Sequence, residues 1–479
     1  MAFDNLQSLL APLEKAGELT RIREPLSPRL EITEVSDRVV KAGGPALLFE
    51  RPRGFKIPVL TNLYGSMERV RTLFGIQELD DLGARIRQLL DLEPPRSWIA
   101  KLKLLPRLKE VAQVFPREVQ KAPCQEVVQT EDADLTDLPI LTCWPGDGGP
   151  FITLPVVVTR HPVTGKRNVG MYRMHVYDGR TTGMHWHIHK GGAAQFRDAR
   201  PDVPFPVAVA LGPDPITTYC ASAPLPEGMD EFTLAGFLRQ RPVDLVKCVT
   251  NDLMVPAESQ FVLEGYVKPG EMRREGPFGD HTGFYSPAGD YPVFHLTAVT
   301  RRRNPIYHAT VVGYPPMEDG LLGKITERLF LPLIQQQLPE ILDMNLPVEG
   351  CFHNLCFVRI DKRYPGHAQK VMHALWGMGQ MMFAKMIFVF DREVDVQDIS
   401  QVLFYLGSHV DPGRDTTVVR GPVDALDHAA DMSHLGTKMG LDCTKKWPEE
   451  GYGRRWPERI VMSREVRKKI DALWGRLGF

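Results

Sequence analysis

The sequence predicts a multidomain α+β protein in which an α/β module at each end flanks a largely antiparallel sheet or barrel. Helix and strand patterns alternate in the first part of the chain, strand residues and turns dominate from about residue 122, and helices alternate with apolar strands after Pro316. At 479 residues, the chain is also longer than the roughly 100 to 200 residues of one domain. The predicted domains are 1–116, 117–318 and 319–479.

The N-terminal module is predicted to combine two amphipathic helices with short strands. Leucines on one helical face follow Asp4, the predicted cap, and Gly17 ends this pattern. A second helix covers EITEVSDRVVKAGG and stops at the paired glycines. From Asp81 to about Pro116, a basic linker broken by prolines is expected to be a solvated helix, with contact to a membrane surface as the alternative. The strand candidates are residues 19–22, ALLFE and VLTNL.

Hairpins dominate the predicted central region, and helix–strand alternation marks the C-terminal one. The segments LPVVVTR, YPVFHLTAVT and IYHATVVG have strand composition and are separated by turns, with one helix expected around Glu231. Helices over 324–338 and 367–383 then alternate with the strands LCFVRID and KMIFVFD, which indicates a parallel α/β layer. A last amphipathic helix over 463–477 is expected to dock on a neighbour.

Charge and cysteine content exclude several classes of protein. The chain has 58 basic and 59 acidic residues, so it has no overall field that would attract nucleic acid. Its seven scattered cysteines argue against a disulfide framework and for a reducing compartment. No apolar run approaches the ~20 residues that a membrane span needs, and the N-terminus lacks a signal-peptide core. A cytoplasmic location is expected, with peripheral contact at the inner membrane for an apolar substrate.

The segment 168–192, NVGMYRMHVYDGRTTGMHWHIHKGG, holds four of the fourteen histidines. Because successive side chains of a strand point to opposite faces, its last three histidines would share one face. Turn-forming residues separate this run from MYRMHVYD, so the two are predicted to be neighbouring strands of a hairpin. An ordinary sheet face carrying histidines is the alternative to a functional site. The three histidines are His185, His187 and His189.

The same segment suggests two kinds of metal site. Three histidines on one face suggest zinc, whereas Asn168, one histidine and an acid such as Glu231 form a mainly oxygen set suited to manganese or magnesium. The spacing does not decide between them. The following Lys190-Gly191-Gly192 offers backbone amides that can approach a phosphate-bearing cofactor.

A second stretch, EGPFGDHTGFY, carries two acids in a loop rich in glycine and proline. Glu275 and Asp280 are close enough in sequence to face one pocket, and Arg173 is the candidate to lie between them. The pKa values of two acids near one arginine can be shifted in opposite directions, so that one acid stays ionised and the other donates a proton. A hydrated surface loop is the alternative.

Seven long motifs stand in order along nearly the whole chain: NVGMYR, HWHIHKGGA, VAVALGPDP, KCVTNDLMVPAESQFVLEGY, EGPFGDHTGFY, PGHAQKVMHALW and GTKMGLDCTKKWP. Together they resemble the UbiD family of prenylated-flavin-dependent decarboxylases. EITEVSDRVVKAGGPALLFE and TCWPGDGGPFIT make the 3-polyprenyl-4-hydroxybenzoate decarboxylases the most similar branch. The resemblance implies a central split β-barrel that binds flavin, flanked by α/β N-terminal and C-terminal domains, and a homo-oligomer, dimeric or hexameric, joined by the C-terminal domain.

The resemblance also implies a set of site residues. Asn168, His189 and Glu231 would hold manganese, with magnesium as the alternative, against the phosphate of prenylated FMN. A monovalent cation such as K⁺ is a further implied cofactor. Arg173, Glu275 and Asp280 match the family's acid-arginine-acid network, in which the arginine orients the substrate carboxylate and the second acid returns a proton. The residues that would line the flavin are Met171, Tyr172, Arg173, His185, Trp186, His187, Lys190, Gly191 and Lys385.

The implied reaction is the non-oxidative, reversible decarboxylation of an aromatic acid through a covalent adduct with prenylated FMN. The expected substrate is 3-polyprenyl-4-hydroxybenzoate, which would give 2-polyprenylphenol in ubiquinone biosynthesis, and a flavin prenyltransferase would supply the cofactor. Asp280 must be protonated when carbon dioxide leaves, so a raised pKa in an apolar pocket is expected. The ferulic and cinnamic acid branch carries glutamate at this position, which favours an aromatic over an acrylic acid substrate.

Two alternatives stay open. The first is a UbiD-like decarboxylase of another aromatic acid, in menaquinone synthesis or aromatic degradation. The second is a zinc-binding hydrolase without flavin, in which the three histidines bind the metal.

Overall fold

The N-terminal part packs amphipathic helices on a small sheet. The computed structural model describes residues 3–90, 114–187, 191–225 and 229–478. Helix α1 is capped by Asn5, whose side chain accepts the Ser8 backbone N–H at 3.0 Å, and not by the predicted Asp4, which pairs with Arg241. The elements are α1 (Leu6–Lys15), β1 (Leu19–Ile22), α2 (Glu31–Lys41), β2 (Ala46–Phe49), β3 (Val59–Thr61), α3 (Met67–Phe74) and α4 (Asp80–Leu90).

The central part is rich in strands, as its alternating composition predicts. Its helices are α5 (Gly191–Arg197), α6 (Pro215–Cys220) and α7 (Glu231–Arg239). Its strands are β4 (Arg117–Glu118), β5 (Val127–Gln129), β6 (Phe151–Ile152), β7 (Pro155–Arg160), β8 (Arg167–Met171), β9 (Met174–His175), β10 (Thr181–Gly183), β11 (Phe205–Leu211), β12 (Asp244–Lys247), β13 (Met254–Pro256), β14 (Phe261–Glu275), β15 (Phe278–Gly279), β16 (Tyr285–Ser286), β17 (Gly289–Arg301) and β18 (Tyr307–His308).

The C-terminal part alternates helices and strands. Its helices are α8 (Glu318–Gln337), α9 (His367–Trp376), α10 (Ile399–His409), α11 (Pro412–Asp415) and α12 (Arg464–Asp471). Its strands are β19 (Ile341–Asn345), β20 (Leu355–Ile360), β21 (Met386–Asp391), β22 (Thr416–Pro422) and β23 (Leu435–Asp442). Short 3₁₀ helices along the chain are Pro123–Gln125, Leu135–Asp137, Val348–Gly350, Gly379–Phe383, Pro448–Glu450 and Trp474–Arg476.

The main central sheet is antiparallel throughout, with strand order β10-β17-β14-β11-β7-β8 and β5 paired to β17. Register shifts interrupt the long β14–β17 pair, and such irregularities bend a sheet. His185 lies two residues after β10 and donates its backbone N–H at 3.3 Å to the carbonyl of Arg173, two residues after β8. Segments that follow the two edge strands therefore meet beside this sheet.

Two smaller sheets complete the fold. In the N-terminal sheet, of order β1-β2-β3-β18, the last strand comes from the central region and runs parallel to β3. In the C-terminal sheet, of order β19-β20-β21-β23-β22, β21 runs parallel to both neighbours, but the edge strands β19 and β22 are antiparallel. The predicted parallel layer is therefore a mixed sheet. None of the described helices is both long and apolar enough to cross a bilayer, and most of the basic linker lies outside the described residues.

Candidate active site

Three elements of the central region bring Arg173, Glu275 and Asp280 into contact. Arg173 lies between β8 and β9, Glu275 ends β14, and Asp280 follows β15. The Arg173 Nε donates to Glu275 Oε1 at 2.9 Å, and Nη1 donates to Asp280 Oδ2. Glu275 is 0% exposed and Asp280 is 6% exposed. One guanidinium thus connects two acids that are almost completely shielded from solvent.

Further contacts fix the plane of this guanidinium. Arg173 Nη2 donates to Ser286 Oγ at 2.9 Å, and the guanidinium carbon lies 4.6 Å from the centre of the Phe278 ring. A cation over an aromatic face is favourable, and the planar fork of an arginine is held most precisely when several of its donors are used. These contacts hold the Arg173 guanidinium in one orientation.

His185 extends the network on the Glu275 side. Its Nδ1 lies 2.9 Å from Glu275 Oε2, and this nitrogen carries the proton because an ionised carboxylate only accepts. Burial lowers the pKa of His185, which favours a neutral ring whose Nε2 accepts from His187 Nε2 at 2.9 Å. Tyr291 stacks on the ring with a centroid distance of 4.2 Å. Glu275 thus accepts hydrogen bonds from two side chains, Arg173 and His185.

Both carboxylates of the network are held ionised. Burial alone would raise the pKa of Glu275, but the hydrogen bond from His185 and the charge of Arg173 outweigh it and hold the pKa at about 2. Burial also opposes ionisation of Asp280, yet its pKa lies well below the usual range because His281 donates hydrogen bonds to it and Arg173 is adjacent. The expectation of a raised pKa for Asp280 is therefore wrong for this arrangement.

The alternating strand predicted over the histidines does not form in its described part. A hairpin is present, since Val176 and Thr182 bridge across the predicted turn, but residues 184–187 lie outside any strand. His185 and His187 turn toward each other, ring nitrogen to ring nitrogen, because the carboxylate of the Arg173 network holds the other side of His185. His189 lies outside the described residues.

Two of the three predicted metal ligands come from neighbouring elements. Asn168 lies in β8, and Glu231 is the first residue of α7. Glu231 Oε2 accepts the backbone N–H of Val169, the residue after Asn168, at 3.0 Å. Burial raises the pKa of Glu231 to about 7, so a cation beside it would keep it charged at neutral pH. The third predicted ligand and Lys190 lie outside the described residues.

These side chains fit a divalent cation and a bound cofactor. Amide and carboxylate oxygens are the donors that Mn²⁺ and Mg²⁺ prefer. A Cβ on Gly191 would lie 2.0 Å from Asn168 Oδ1, so glycine leaves room for that oxygen at the start of α5. The indole N–H of Trp186 is buried without a partner among the described residues, and a bound ligand could supply one.

The remaining residues predicted to line the flavin lie in two parts of the chain. Met171 ends β8, and the hydroxyl of Tyr172 accepts the backbone N–H of Gly192 at 3.1 Å. Lys385 precedes β21 in the C-terminal part and pairs with Asp427 at 2.7 Å. Tyr172 thus contacts the start of α5, whereas Lys385 is held by an acid of its own region.

Sequence reasoning missed several side chains that touch the network. Ser286, Tyr291 and His281 contact its members, and His353 approaches from the C-terminal part. The position of His281 directly after Asp280 was a signal that could have identified it. The others carry no comparable signal, because pairing between distant segments brings them in.

Replacing Gly191 with alanine is expected to displace the Asn168 side chain, since the added Cβ would overlap its amide oxygen. We expect the purified variant to hold less than half the divalent metal and flavin of the parent protein, as measured by elemental analysis and visible absorption. Gly407→Ala is the matched control, because a Cβ there meets nothing within 4 Å. Equal metal and flavin content in Gly191→Ala would contradict the assignment of Asn168 as a ligand.

Family models match three successive segments of the chain. They describe a 3-octaprenyl-4-hydroxybenzoate carboxy-lyase: its N-terminal domain at residues 10–86, its Rift-related domain at 117–315 and its C-terminal domain at 320–443. Among full-length relatives, an uncharacterized protein of Archaeoglobus fulgidus is 50% identical over 100% of this chain and 99% of its own. An uncharacterized protein of Aquifex aeolicus is 52% identical over 99% of this chain and 99% of its own length.

Solved structures share the whole fold. The vanillic acid decarboxylase of Sedimentibacter hydroxybenzoicus in closed form is 28% identical, covers 99% of each chain and has a TM-score of 0.86. The UbiD-class enzyme HmfF of Pelotomaculum thermopropionicum, in complex with FMN, is 30% identical over 97% of this chain and 98% of its own, with a TM-score of 0.81. Models of all three domains match the chain, and its backbone follows the same fold as these enzymes. The chain therefore belongs to the UbiD family of carboxy-lyases.

Proposed function

We propose that this chain catalyses the non-oxidative, reversible decarboxylation of an aromatic acid with prenylated FMN as its cofactor. The observation that carries the proposal is the contact of one oriented guanidinium, that of Arg173, with the two buried acids Glu275 and Asp280. HmfF structures in complex with FMN and with prFMN support the cofactor. When bound, prenylated FMN supplies an electron sink for the ring carbon that loses carbon dioxide.

Asn168, His189 and Glu231 would hold manganese, or magnesium in its place, and the residues from Met171 to Arg173 would face the flavin. Support comes from the amide oxygen of Asn168 and the carboxylate of Glu231, which are ligand types that these ions prefer. Gly191 supports the site as well, because it leaves room for the Asn168 side chain.

Arg173 would bind the substrate carboxylate, and Asp280 would return the proton. A substrate carboxylate would compete with Asp280 for the same guanidinium, so its arrival would weaken one of the two contacts that keep the acid ionised and leave the other, the hydrogen bonds from His281. The pKa of Asp280 would then rise, and the acid could take up the proton that the product carbon needs. Glu275 keeps its second donor, His185, and would stay ionised throughout. This competition would move Asp280 toward the protonated form that returns the proton.

The proposed substrate is 3-polyprenyl-4-hydroxybenzoate, converted to 2-polyprenylphenol. The descriptions of the three family models support it, and so does apolar surface beside the Asp280 loop, where Phe284 is 66% and Tyr314 is 71% exposed. A Cβ on Gly283 would lie 3.1 Å from Tyr314 Cα, so this surface adjoins the loop. Another aromatic acid is the second candidate, because a 28% identical structure is a vanillic acid decarboxylase.

A substrate panel tests this choice. Holoenzyme co-produced with a flavin prenyltransferase would receive 3-polyprenyl-4-hydroxybenzoates of increasing tail length, 4-hydroxybenzoate and vanillate. We expect kcat/KM to rise with tail length, since each further buried methylene contributes about 0.8 kcal/mol. A higher kcat/KM for vanillate or 4-hydroxybenzoate would transfer the assignment to a simple aromatic acid.

The architecture around this site is also proposed to follow the family. The meeting of His185 with Arg173, which follow opposite edge strands, supports a split β-barrel in the central domain. The family-model boundaries support domains over 1–116, 117–318 and 319–479. The exposed helix α12 supports homo-oligomer contacts through the C-terminal domain.

The described geometry does not favour the zinc-hydrolase alternative. Both ring nitrogens of His185 are engaged, one 2.9 Å from Glu275 Oε2 and the other 2.9 Å from His187 Nε2, and His189 lies outside the described residues. Elemental analysis combined with a visible spectrum distinguishes the decarboxylase from the zinc hydrolase. We expect manganese together with a flavin band, whereas zinc without flavin would favour the hydrolase.

A further inference from the structure

The second oxygen of Asp280 is held by a histidine that the proposed chemistry does not use. Asp280 Oδ1 accepts the backbone N–H of His281 at 2.8 Å and lies 2.9 Å from its Nδ1. His281 Nε2 in turn lies 2.9 Å from His353 Nε2. His353 belongs to the C-terminal part, just after the 3₁₀ helix Val348–Gly350, and is half-buried. Hydrogen bonds thus run without a gap from Asp280 to the C-terminal part.

The His281 ring has a single orientation in this arrangement. Both of its nitrogens are engaged, and Phe352, also from the C-terminal part, stacks on it with a centroid distance of 5.1 Å and an angle of 28°. A ring held at both edges and on one face cannot turn without losing all of these contacts. Residues 352–353 of the C-terminal part therefore hold the His281 ring in the orientation in which it contacts Asp280.

Several charges act on this pair of histidines. Asp280, Asp319 from the first turn of α8, and Asp424 all favour the charged form of His281. Asp424 also faces His353. Burial opposes the charge on His281, but Asp280 outweighs it and the pKa of His281 lies above the usual value. These charges favour the form of His281 that is protonated at both nitrogens, in which Nδ1 donates to Asp280 and Nε2 donates to His353 Nε2.

We propose that His281 is a positioning residue for Asp280 and that His353 locks it, so that the C-terminal part sets the orientation of the proton-donating acid. This inference rests on the proposed function of Asp280. A carboxylic acid delivers a proton only when its oxygen is aimed at the acceptor carbon, and Arg173 and His281 hold one oxygen each. When a substrate occupies Arg173, His281 is the contact that still fixes the acid.

Two substitutions at His353 separate positioning from mere packing. His353→Gln replaces the ring nitrogen with an amide oxygen that can accept from His281 Nε2, whereas His353→Leu leaves no acceptor. In the holoenzyme, we expect kcat to fall about tenfold in His353→Leu, part of the 10²- to 10⁴-fold that a general acid contributes, with KM unchanged. His353→Gln should retain at least half of the parent kcat. The melting temperatures of His353→Gln and His353→Leu should be equal to each other.

The matched control is His295→Gln, which alters a histidine that pairs with Glu271 at 2.8 Å outside this network and should leave kcat unchanged. Equal kcat in the leucine and glutamine variants would overturn the proposal. So would a loss of kcat that accompanies an equal loss of melting temperature in both, because that result would show packing alone.

A readout without turnover keeps this test distinct from the test of the function. In cofactor-free protein labelled with ¹⁵N-histidine, the pKa of His281 should fall when Asp280 is replaced with asparagine, because the carboxylate that favours the charged ring is removed. His353→Leu should broaden or shift the His281 ring resonances, and His353→Gln should leave them in place. Unchanged resonances in both variants would refute the lock, whereas an inactive parent holoenzyme would refute only the proposed function.

Discussion

Replacing Glu275 with glutamine should lower kcat for decarboxylation by about 10²-fold or more, the loss expected when the group that orients the substrate is displaced by about 1 Å. Glu275 accepts from both Arg173 Nε and His185 Nδ1, and an amide offers one acceptor oxygen and an N–H₂ group that would face a donor. The guanidinium would lose its fixed plane. Asn168 and Glu231 are untouched, so the flavin band and metal content should equal those of the parent.

Glu271→Gln is the matched control for this variant. It makes the same chemical change four residues earlier on β14, where the carboxylate is partly exposed and pairs with His295. It should turn over at the parent rate. Full activity in Glu275→Gln, measured as carbon dioxide release with the flavin still bound, would remove Glu275 from the mechanism.

Replacing Arg173 with leucine should abolish decarboxylation and also destabilise the fold. The change leaves two buried carboxylates without their cation, and breaking a buried pair costs about 3 to 5 kcal/mol in free energy of unfolding. In the parent protein, the lowered pKa of Glu275, about 2, contributes stability that is present above the ordinary value near 4.5 and lost as pH falls through 2. The difference in melting temperature between parent and variant should therefore be largest at pH 7 and smaller at pH 4.

The control for this charge deletion is Arg273→Leu. Arg273 is about half exposed and lies 3.6 Å from Asp178, so its removal should change stability by no more than about 0.5 kcal/mol. A melting temperature of Arg173→Leu equal to that of the parent at pH 7 would contradict the buried-network account.

Local signals were sufficient for much of the fold. The amphipathic spacing and terminal glycines of EITEVSDRVVKAGG place α2 over Glu31–Lys41, and the acidic start of the DEFTLAGFL run places α7 at Glu231. Apolar runs bounded by polar residues identify β20 and β21 and their parallel pairing. Each of these features depends on residues a few positions apart.

The candidate site depends on contacts that local patterns do not contain. Arg173 and Glu275 are 102 residues apart, and His281 and His353 are 72 apart. The histidine run alternates like a strand, but the carboxylate of Glu275 holds His185 and draws it out of that pattern. For the same reason, the low pKa of Asp280 could not be predicted, since it depends on which donors reach its two oxygens.

The most direct test of the central claim compares one protein with two cofactors. Protein produced without a flavin prenyltransferase would be loaded either with prenylated FMN or with plain FMN, and supplied with a carboxyl-¹³C-labelled aromatic acid. We expect ¹³CO₂ only from the protein loaded with prenylated FMN, and its rate of release should fall by about 10²-fold or more after Glu275→Gln. Equal release with plain FMN, or no release from any acid of the panel, would contradict the account.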